Sequence, residues 1–246
     1  MSNGSYDLRS EWAELAPYWI AESRAGGDVS RKGMLDAYVL AACGNVEGLS
    51  ILDCGCGEGR FGRMLAGRGA HRVLGVDTCE PMIQAARELQ SDNEEYVVGD
   101  VQDLHFLADE SFDLAVSYLN HCDLPDFAAN VREVFRVLKA GGRFVIANLH
   151  PMRSATGAWY RGPGGEKLHV HLDRYFDEGP RQFVMKACRI TNFHRTLSTY
   201  IRGFLNAGFI VADIIEPTVE PKALEMYPEL DDELRVPNFI IYVLKK

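Results

Sequence analysis

One stretch constrains the fold more than any other: residues 49–66, which read LSILDCGCGEGRFGRMLA. It passes from a short apolar run through an acid, Asp53, and three glycines at alternate positions to a helical pattern. This order predicts a β-strand, a tight turn and an α-helix. Glycine suits such a turn because backbone that approaches a ligand leaves no room for a Cβ atom. The helix would direct its unpaired N–H groups at the turn, so the sequence predicts a ligand site there.

Two kinds of cofactor could use this turn. Gly57, Gly59 and Gly62 form the G-x-G-x-x-G pattern of dinucleotide-binding folds, and Asp77 follows at the expected distance of roughly 20 residues. That pattern alone has low specificity, and it does not account for Asp53. A carboxylate at the end of the strand suits a ligand with an ammonium group better than a pyrophosphate. S-adenosylmethionine (SAM) has the ammonium group and no phosphate.

Four segments resemble, in the same order, the motifs of class I SAM-dependent methyltransferases. Residues 53–59 are similar to the D-x-G-x-G-x-G loop of that family, 73–83 to its second strand, 97–104 to its third strand and adenine loop, and 135–151 to its fifth strand with the preceding helix. Together the motifs cover roughly residues 45–152. The His150-Pro151 pair after strand five resembles a bacterial subgroup of small-molecule methyltransferases.

The resemblance implies an α/β fold with a Rossmann-like seven-stranded sheet. The implied strand order is 3-2-1-4-5-7-6, with strand seven antiparallel and helices on both faces. We expect a single domain, 1–246, with cap helices in 1–44 and an insertion in 152–195 near the substrate site.

The hydrophobic pattern adds expectations for individual elements. A helix is predicted over 7–24, kinked or divided by Pro17, and another over 124–139 that Gly141-Gly142 ends. Residues 216–236 are expected to form an acidic, proline-containing loop. The aromatic residues Trp12 and Trp19 either cover the ligand cavity or pack the leading helix onto the core.

By resemblance, residues at the ends of the first four strands contact SAM. The carboxylate of Asp77 would accept hydrogen bonds from the ribose hydroxyls, and that of Asp100 from the adenine amino group. A helix cap is the alternative for Asp77, and Thr78 could fill that role instead. The full set of implied cofactor residues is Asp53, Gly55, Cys56, Gly57, Gly59, Asp77, Thr78, Met82, Asp100, Val101 and Tyr118.

Three histidines are candidates for managing the proton of a methyl acceptor. His121 follows strand four and His150 follows strand five, at the strand ends where such sheets bind ligands. His194 comes from the insertion. An imidazole suits this task because its pKa lies near neutrality. Our hypothesis is that His150, with His121 or His194, orients or deprotonates the acceptor; the alternative is that each is paired with backbone or a helix end.

Composition restricts the partners. A net charge of −9 and a pI near 5.3 argue against a nonspecific binder of nucleic acids or anionic membranes. No apolar stretch approaches the roughly 20 residues that span a bilayer, so we expect a cytoplasmic protein. The cysteines form no CxxC pair, and we expect no metal site, although His169, His171 and Asp173 alternate along one strand. The oligomeric state leaves no trace in the sequence.

The acceptor is expected to be a small, partly apolar molecule, methylated by in-line displacement. Three other functions remain open. An RNA or protein methyltransferase would need a basic groove, for which Arg60, Arg63, Arg68 and Arg72 are the candidates. An NAD-dependent oxidoreductase would use Gly57, Gly59 and Gly62. A SAM-binding module without catalysis would keep the cofactor motifs and lack an acceptor site.

Overall fold

Eleven strands are present in the computed structural model, which describes residues 6–246. They are β1 Ser50–Cys54, β2 Arg72–Asp77, β3 Glu94–Val98, β4 Phe112–Tyr118, β5 Leu138–Leu149, β6 Thr156–Arg161, β7 Lys167–Leu172, β8 Gly179–Met185, β9 Cys188–His194, β10 Ile210–Ile215 and β11 Phe239–Lys245. Seven of them form one sheet in the order β3-β2-β1-β4-β5-β11-β10. The strands β1 to β5 run parallel, and β11 is antiparallel to both neighbours. With β10 and β11 as strands six and seven, the predicted order 3-2-1-4-5-7-6 is confirmed.

Helices cover both faces of this sheet, as predicted. They are α1 Leu8–Arg24, α2 Asp36–Cys43, α3 Arg60–Ala66, α4 Glu80–Arg87, α5 Phe127–Val137, α6 Pro151–Ser154, α7 Leu197–Asn206 and α8 Pro221–Met226. A π-helical turn, Arg31–Leu35, precedes α2, and 3₁₀ turns span His121–Asp123 and Pro228–Leu234. Neighbouring residues of β1 point to opposite faces: Leu52 packs in the core cluster that contains α5 and α7, and Ile51 in the one that contains α2 and α3. The central strands are therefore apolar on both sides.

Two antiparallel hairpins lie between α6 and α7. They pair β6 with β7 and β8 with β9. The second hairpin packs against α1, where Leu15 contacts Cys188 and Ile190. The carboxylate of Glu11 also accepts hydrogen bonds from Thr191, 2.8 Å from its backbone N–H and 3.0 Å from its hydroxyl. The leading helix and this hairpin are thus held together by apolar and polar contacts.

The predicted end of α5 is wrong, whereas α1 lies close to its predicted bounds. The helix α1 is not divided at Pro17, and Leu15 and Ala16 beside this proline are fully buried. The helix α5 ends at Val137, because Leu138 already pairs with Phe112 in the sheet. Gly141-Gly142 lie within β5, where its pairing with β4 shifts register, and do not end the helix. Sheet pairing overrides the helical pattern there.

Residues 216–236 contain α8 and a 3₁₀ turn where we predicted only a loop. Pro221 and Pro228 each stand at the first positions of these short helical segments, where a missing N–H costs nothing. Leu230 is buried in the core and fixes the turn. Within residues 6–246, no helix is long and apolar enough to cross a membrane.

Candidate active site

The loop between β1 and α3 is fixed by backbone and side-chain bonds from β2. The N–H groups of Gly55 and Cys56 both donate to the carbonyl oxygen of Val76, at 2.8 and 3.2 Å. Gly55 has a φ of +69°, and a Cβ atom on it would lie 2.3 Å from Cγ of Asn120. Glycine is required here because any side chain would collide with the turn that follows β4.

Asp53 is a buried carboxylate with one unpaired oxygen. Its side chain is 1% exposed, and no group of the described residues forms a hydrogen bond with its Oδ2. Burial raises the pKa of Asp53 to about 7, and the charge of nearby Asp77 adds to the shift. It lines a small cavity of about 60 Å³ together with Gly55 and Gly57. An unpaired carboxylate in such a place fits a ligand that brings an ammonium group.

Asp77 ties the glycine loop to the start of α4. Its Oδ2 accepts from the N–H of Gly57 at 2.9 Å, and its Oδ1 from the N–H of Cys79 at 2.8 Å. Burial raises the pKa of Asp77, although these two hydrogen bonds oppose the shift. Each carboxylate oxygen keeps a second lone pair, so Asp77 can still accept from a ligand hydroxyl. The side chain of Thr78 does not cap α4, whose cap position is Cys79.

A cavity of about 250 Å³ lies at the carboxyl ends of β1, β2 and β4. Of the predicted cofactor residues it is lined by Gly55, Gly57, Asp77, Thr78, Met82, Asp100, Val101 and Tyr118. Asp53 and Cys56 line the adjoining 60 Å³ cavity instead. The two cavities share Trp19, Arg31 and Tyr118, so we treat them together as the cofactor cavity.

Gly59 is an exception among the predicted cofactor residues. It does not line the cofactor cavity as the described residues form it. Its φ is +79°, and a Cβ atom would lie 2.6 Å from the ring of Tyr96, whose hydroxyl donates to the Gly59 carbonyl. The glycine is needed for the turn into α3 and for the packing of Tyr96, and its contact with the cofactor stays a prediction.

A second, larger cavity of about 500 Å³ opens beside the first. Five residues line both of them: Trp12, Trp19, Arg31, Leu119 and Asp123. Its other walls include Leu149 after β5 and the apolar residues Phe183, Met185 and Ile190 of the second hairpin. We call it the acceptor cavity.

Arg31 was not predicted as a site residue, yet it lines the cofactor cavity and the acceptor cavity. Its guanidinium carbon lies 4.7 Å from the ring centroid of Trp19 and 5.2 Å from that of Tyr118. It also forms an ion pair with Asp28. In the sequence, only the aromatic residues of the leading segment indicated that this segment contributes to the site.

His121 belongs to the core and not to a cavity. It is fully buried against Phe127 and Phe144, and it lines no cavity in the described part of the chain. Asn130 donates to the carbonyl of Val101 at 2.7 Å, so its Oδ1 accepts from Nε2–H of His121 at 2.9 Å. Burial lowers the pKa of His121 to about 3. These surroundings match the alternative of a histidine that is paired within the core, and the predicted catalytic role gains no support from them.

His150 caps a helix instead of facing a ligand. Its Nδ1 accepts from the N–H of Met152 at 3.0 Å, at the start of α6, and its Nε2 lies 3.1 Å from a carboxylate oxygen of Glu216. It lines neither the cofactor cavity nor the acceptor cavity as the described residues form them. The helix-end alternative describes its surroundings, and its predicted catalytic role gains no support from them.

His194 is the predicted histidine that lines the acceptor cavity. Its Nε2 donates to the carbonyl of Tyr175 at 2.8 Å, which leaves Nδ1 to accept from the hydroxyl of Ser154 at 2.6 Å. Burial lowers the pKa of His194. The structure therefore separates the three histidines and places one of them, His194, at the acceptor cavity.

Asp123 is a site residue that the sequence reasoning missed. It follows His121 in the 3₁₀ turn after β4 and lines both large cavities. The amide of Asn192 on β9 donates to it, and burial raises its pKa to about 8. Its position after β4 could have identified it as a site residue. The turn places His121 in the core and Asp123 at the cavities.

Comparison with known proteins agrees with this geometry. Residues 52–146 match the family model of a methyltransferase domain. The crystal structure of a SAM-dependent methyltransferase from Mesorhizobium loti is 32% identical, with a TM-score of 0.79, over 90% of this chain and 99% of that one. Malonyl-[acyl-carrier protein] O-methyltransferase of Serratia marcescens is 30% identical over 62% of this chain and 61% of its own length. Demethylmenaquinone methyltransferase of Lactococcus lactis is 34% identical over 47% and 48%.

The chain belongs to the SAM-dependent methyltransferases of class I. It is an enzyme whose cofactor is SAM, and the interpretation of the glycine loop as an NAD site is wrong. The chain spans about half to two thirds of the length of the two curated relatives described above.

Proposed function

We propose that this methyltransferase acts on an oxygen or nitrogen atom of a small molecule by in-line displacement. The observation that carries the proposal is the acceptor cavity, whose volume of about 500 Å³ lies in the range of small-molecule sites. It shares five residues with the cofactor cavity, so an acceptor bound there borders the cofactor. One named relative is an O-methyltransferase, which supports an oxygen acceptor, and another is a demethylmenaquinone methyltransferase, which supports a small-molecule acceptor.

The residues of the cofactor cavity take roles that follow from their chemistry. Asp53 binds the ammonium group, and Asp77 accepts from the ribose hydroxyls. Asp100 and Val101 bind the adenine. The remaining contacts come from Gly55, Cys56, Gly57, Thr78, Met82 and Tyr118. When bound, SAM supplies a methyl group on a sulfonium, which needs positioning more than activation.

The segments outside the central sheet complete the acceptor side of a single domain. The leading helix α1 brings Trp12 and Trp19, and the region 152–195 brings Phe183, Met185 and Ile190. These apolar residues exclude water from the place where the acceptor atom must lie in line with the transferred methyl group.

His194 holds the proton that a hydroxyl acceptor loses. Ser154 also lines the acceptor cavity, so its hydroxyl can take a proton from the acceptor while passing its own to Nδ1 of His194. The carbonyl of Tyr175 keeps the proton on Nε2 and thereby keeps Nδ1 free to accept. An amine acceptor that binds neutral has less need of this step.

The test is transfer of labelled methyl groups to a panel of small hydroxyl and amine acceptors. We expect turnover with wild type, and a loss of about tenfold or more in kcat for hydroxyl acceptors in His194→Gln. The affinity for S-adenosylhomocysteine, the demethylated product, should stay unchanged in calorimetry. His105→Gln is a matched control, because His105 is exposed and lines none of these cavities. The proposal would be contradicted if the enzyme methylated RNA or protein but none of the small acceptors.

An RNA or protein substrate was considered because four arginines could form a basic groove, and each of these arginines has a partner within the chain. Arg60 pairs with Asp36, and Arg63 lies 2.7 Å from the carboxylate of Glu58. Arg72 is 2.6 Å from that of Glu95, and Arg68 donates to the carbonyl of Met64. Three of these four arginines are thus in local ion pairs, which weakens the argument for a basic groove, and we do not propose this alternative.

A further inference from the structure

The charges around the acceptor cavity are unbalanced. Three arginines line it, Arg31, Arg153 and Arg181, against one carboxyl group among its described residues, that of Asp123. Arg31 is already paired with Asp28. The charges that need explanation are therefore those of Arg153 and Arg181, in a chain whose net charge is −9.

Arg181 is held in place by backbone groups alone. Its Nη1 donates to the carbonyl of Ser154 at 2.8 Å, and its Nη2 to the carbonyls of Arg174 and Asp177 at 2.7 and 3.2 Å. Carbonyls orient a guanidinium but do not neutralise it. The carboxylate of Asp177 pairs with Arg174, and no ion pair to Arg181 occurs within residues 6–246.

Arg153 follows the helix-capping histidine by three positions, on α6. Within the described chain it forms no hydrogen bond and no ion pair, and its side chain is exposed. It borders the acceptor cavity on one side and, on the other, a separate cavity that contains Glu233. That cavity also holds Glu229 and Asp232; Asp232 pairs with Lys167, and burial raises the pKa of Glu233 to about 7.

The remaining titratable groups of the cavity do not supply the missing negative charge. Burial raises the pKa of Asp123 to about 8, so this carboxyl is mostly protonated at neutral pH. Burial lowers the pKa of His194, so this imidazole is neutral. Two guanidinium groups without an ion-pair partner thus line the cavity, where an anionic ligand would find two positive charges.

We propose that the methyl acceptor carries an anionic group, a carboxylate or a phosphate, which Arg153 and Arg181 bind. These two residues do not line the cofactor cavity, whereas Asp123, Leu119 and Trp19 line both. The anion is therefore anchored away from the cofactor, and the reacting oxygen or nitrogen lies at the shared wall. Arginine suits the task because its planar fork matches two oxygens of a carboxylate or phosphate. The inference rests on the proposed function, since it names the class of acceptor.

Two fluorescent probes with the same ring system test the anion site directly. One is 1-anilinonaphthalene-8-sulfonate, and the other is N-phenyl-1-naphthylamine, which lacks the sulfonate. With S-adenosylhomocysteine present in saturating amounts, we expect the anionic probe to bind roughly tenfold or more tightly than the neutral one, as a charge-assisted pair implies. Competition by benzoate and by phenyl phosphate then distinguishes a carboxylate site from a phosphate site.

Variants assign the preference to the two arginines. Arg153→Met and Arg181→Met should each remove most of the difference between the probes and leave binding of the neutral probe unchanged. Arg181→Lys, which keeps the charge, should retain part of it and guards against a folding defect. Arg189→Met is the matched control, because Arg189 is an exposed residue of the same hairpin that does not line the cavity. Equal affinities for the two probes, or a preference that survives both methionine variants, would overturn the proposal.

Turnover separates this inference from the proposed function. 4-Hydroxybenzoate and 4-hydroxybenzamide differ in charge but offer the same hydroxyl to labelled SAM. If the benzoate is methylated faster than the benzamide and Arg153→Met abolishes this preference, the proposed function and the anion site are both supported. Equal methylation of the two compounds keeps the proposed function and removes the anion site. Arginine-dependent binding of the anionic probe without methylation of any small acceptor keeps the anion site and removes the proposed function.

Discussion

At the scale of single residues, the cofactor cavity depends on one acid that the fold leaves unsatisfied. Asp53 stands at the end of β1 with its Oδ2 unpaired in the described structure, and burial raises its pKa from 3.8 to about 7. The protein therefore stores an unfavourable interaction that the ammonium group of SAM can relieve. Stability without ligand and affinity for ligand should respond to Asp53 in opposite directions.

The first prediction concerns the stability of the ligand-free protein. A raised pKa means that the folded protein holds this proton more tightly than the unfolded chain, so stability falls as pH rises from about 4 to 7. Asp53→Asn removes the ionisation and should raise the free energy of unfolding by about 1–3 kcal/mol at pH 8, with a smaller gain at pH 5. Thermal unfolding at both pH values measures it. Asp92→Asn, at an exposed position, should change neither value.

The second prediction concerns the affinity for S-adenosylhomocysteine, which keeps the ammonium group. Below pH 7 binding must first remove the proton from Asp53, so affinity should rise with pH and level off above about 7. Calorimetry of Asp53→Asn should show affinity that is weaker by about 1–3 kcal/mol and a flatter pH dependence. A slope that is the same in the variant would assign the titration to another group, such as Asp77.

At the scale of elements, a hydrogen-bonded relay joins the turn after β4 to the loop that carries Val101. His121 donates to Asn130 on α5, and Asn130 donates to the carbonyl of Val101. All three residues are buried. The imidazole that was a catalytic candidate in the sequence thus supports the wall of the cofactor cavity that Val101 forms.

The third prediction tests this relay. Asn130→Ala leaves two buried groups unpaired and should cost about 2–4 kcal/mol of stability. Because the loop at Val101 loses its tether, we also expect KM for SAM to rise several-fold more than kcat falls. Asn206→Ala, at the exposed end of α7, is the control. Loss of stability with an unchanged KM would show that the loop holds its shape without Asn130.

The fourth prediction concerns the contact between α1 and β9. Glu11→Ala removes both hydrogen bonds to Thr191, and the hairpin should then open more often. Hydrogen exchange in 188–194 should become faster, and turnover should fall because water enters the acceptor cavity. Glu14→Ala, on the same helix, should change exchange in this hairpin much less. Unchanged exchange in Glu11→Ala would mean that Leu15 and its apolar neighbours hold the hairpin alone.

The sequence predicted those elements whose signals are local. The run from Ile51 to Gly55 encodes strand and turn in adjacent residues, and the sheet order followed from motifs in sequence. The boundary at Leu138 depends on its pairing with Phe112 across the sheet, which no local pattern contains. The surroundings of the histidines could not be predicted for a related reason: a strand end gives the place of a side chain but not its direction. Leu119, with a φ of +57°, turns the chain so that His121 enters the core.

At the scale of the whole molecule, the negative net charge and the arginines of the acceptor cavity act on ligands in opposite ways. A charge of −9 attracts SAM, which carries a net positive charge, and repels an anionic acceptor at long range. The arginines act only once the acceptor has entered the cavity. Association rates and final affinities should therefore depend differently on salt.

The fifth prediction follows from this arrangement. Added salt should slow the association of SAM, because it screens the long-range attraction, and should speed the association of an anionic probe. Stopped-flow fluorescence from about 20 mM to 300 mM salt measures both rates, since the Debye length shortens from tens of ångströms to a few over such a range. Rates of the neutral probe should stay constant. Parallel slowing of SAM and the anionic probe would contradict the prediction.

The two hairpins between α6 and α7 contribute residues to the acceptor cavity and none to the cofactor cavity as the described residues form it. The cofactor cavity is built by α1, the turn before α2 and the segment 53–125, whereas Arg181, Phe183, Met185 and Ile190 stand on the second hairpin alone. The hairpins are not strands of the main sheet, so their residues can change without altering its register. Substitutions at Arg181 and Phe183, which lie outside the apolar cluster that packs on α1, should therefore alter the choice of acceptor and leave the cofactor cavity unchanged.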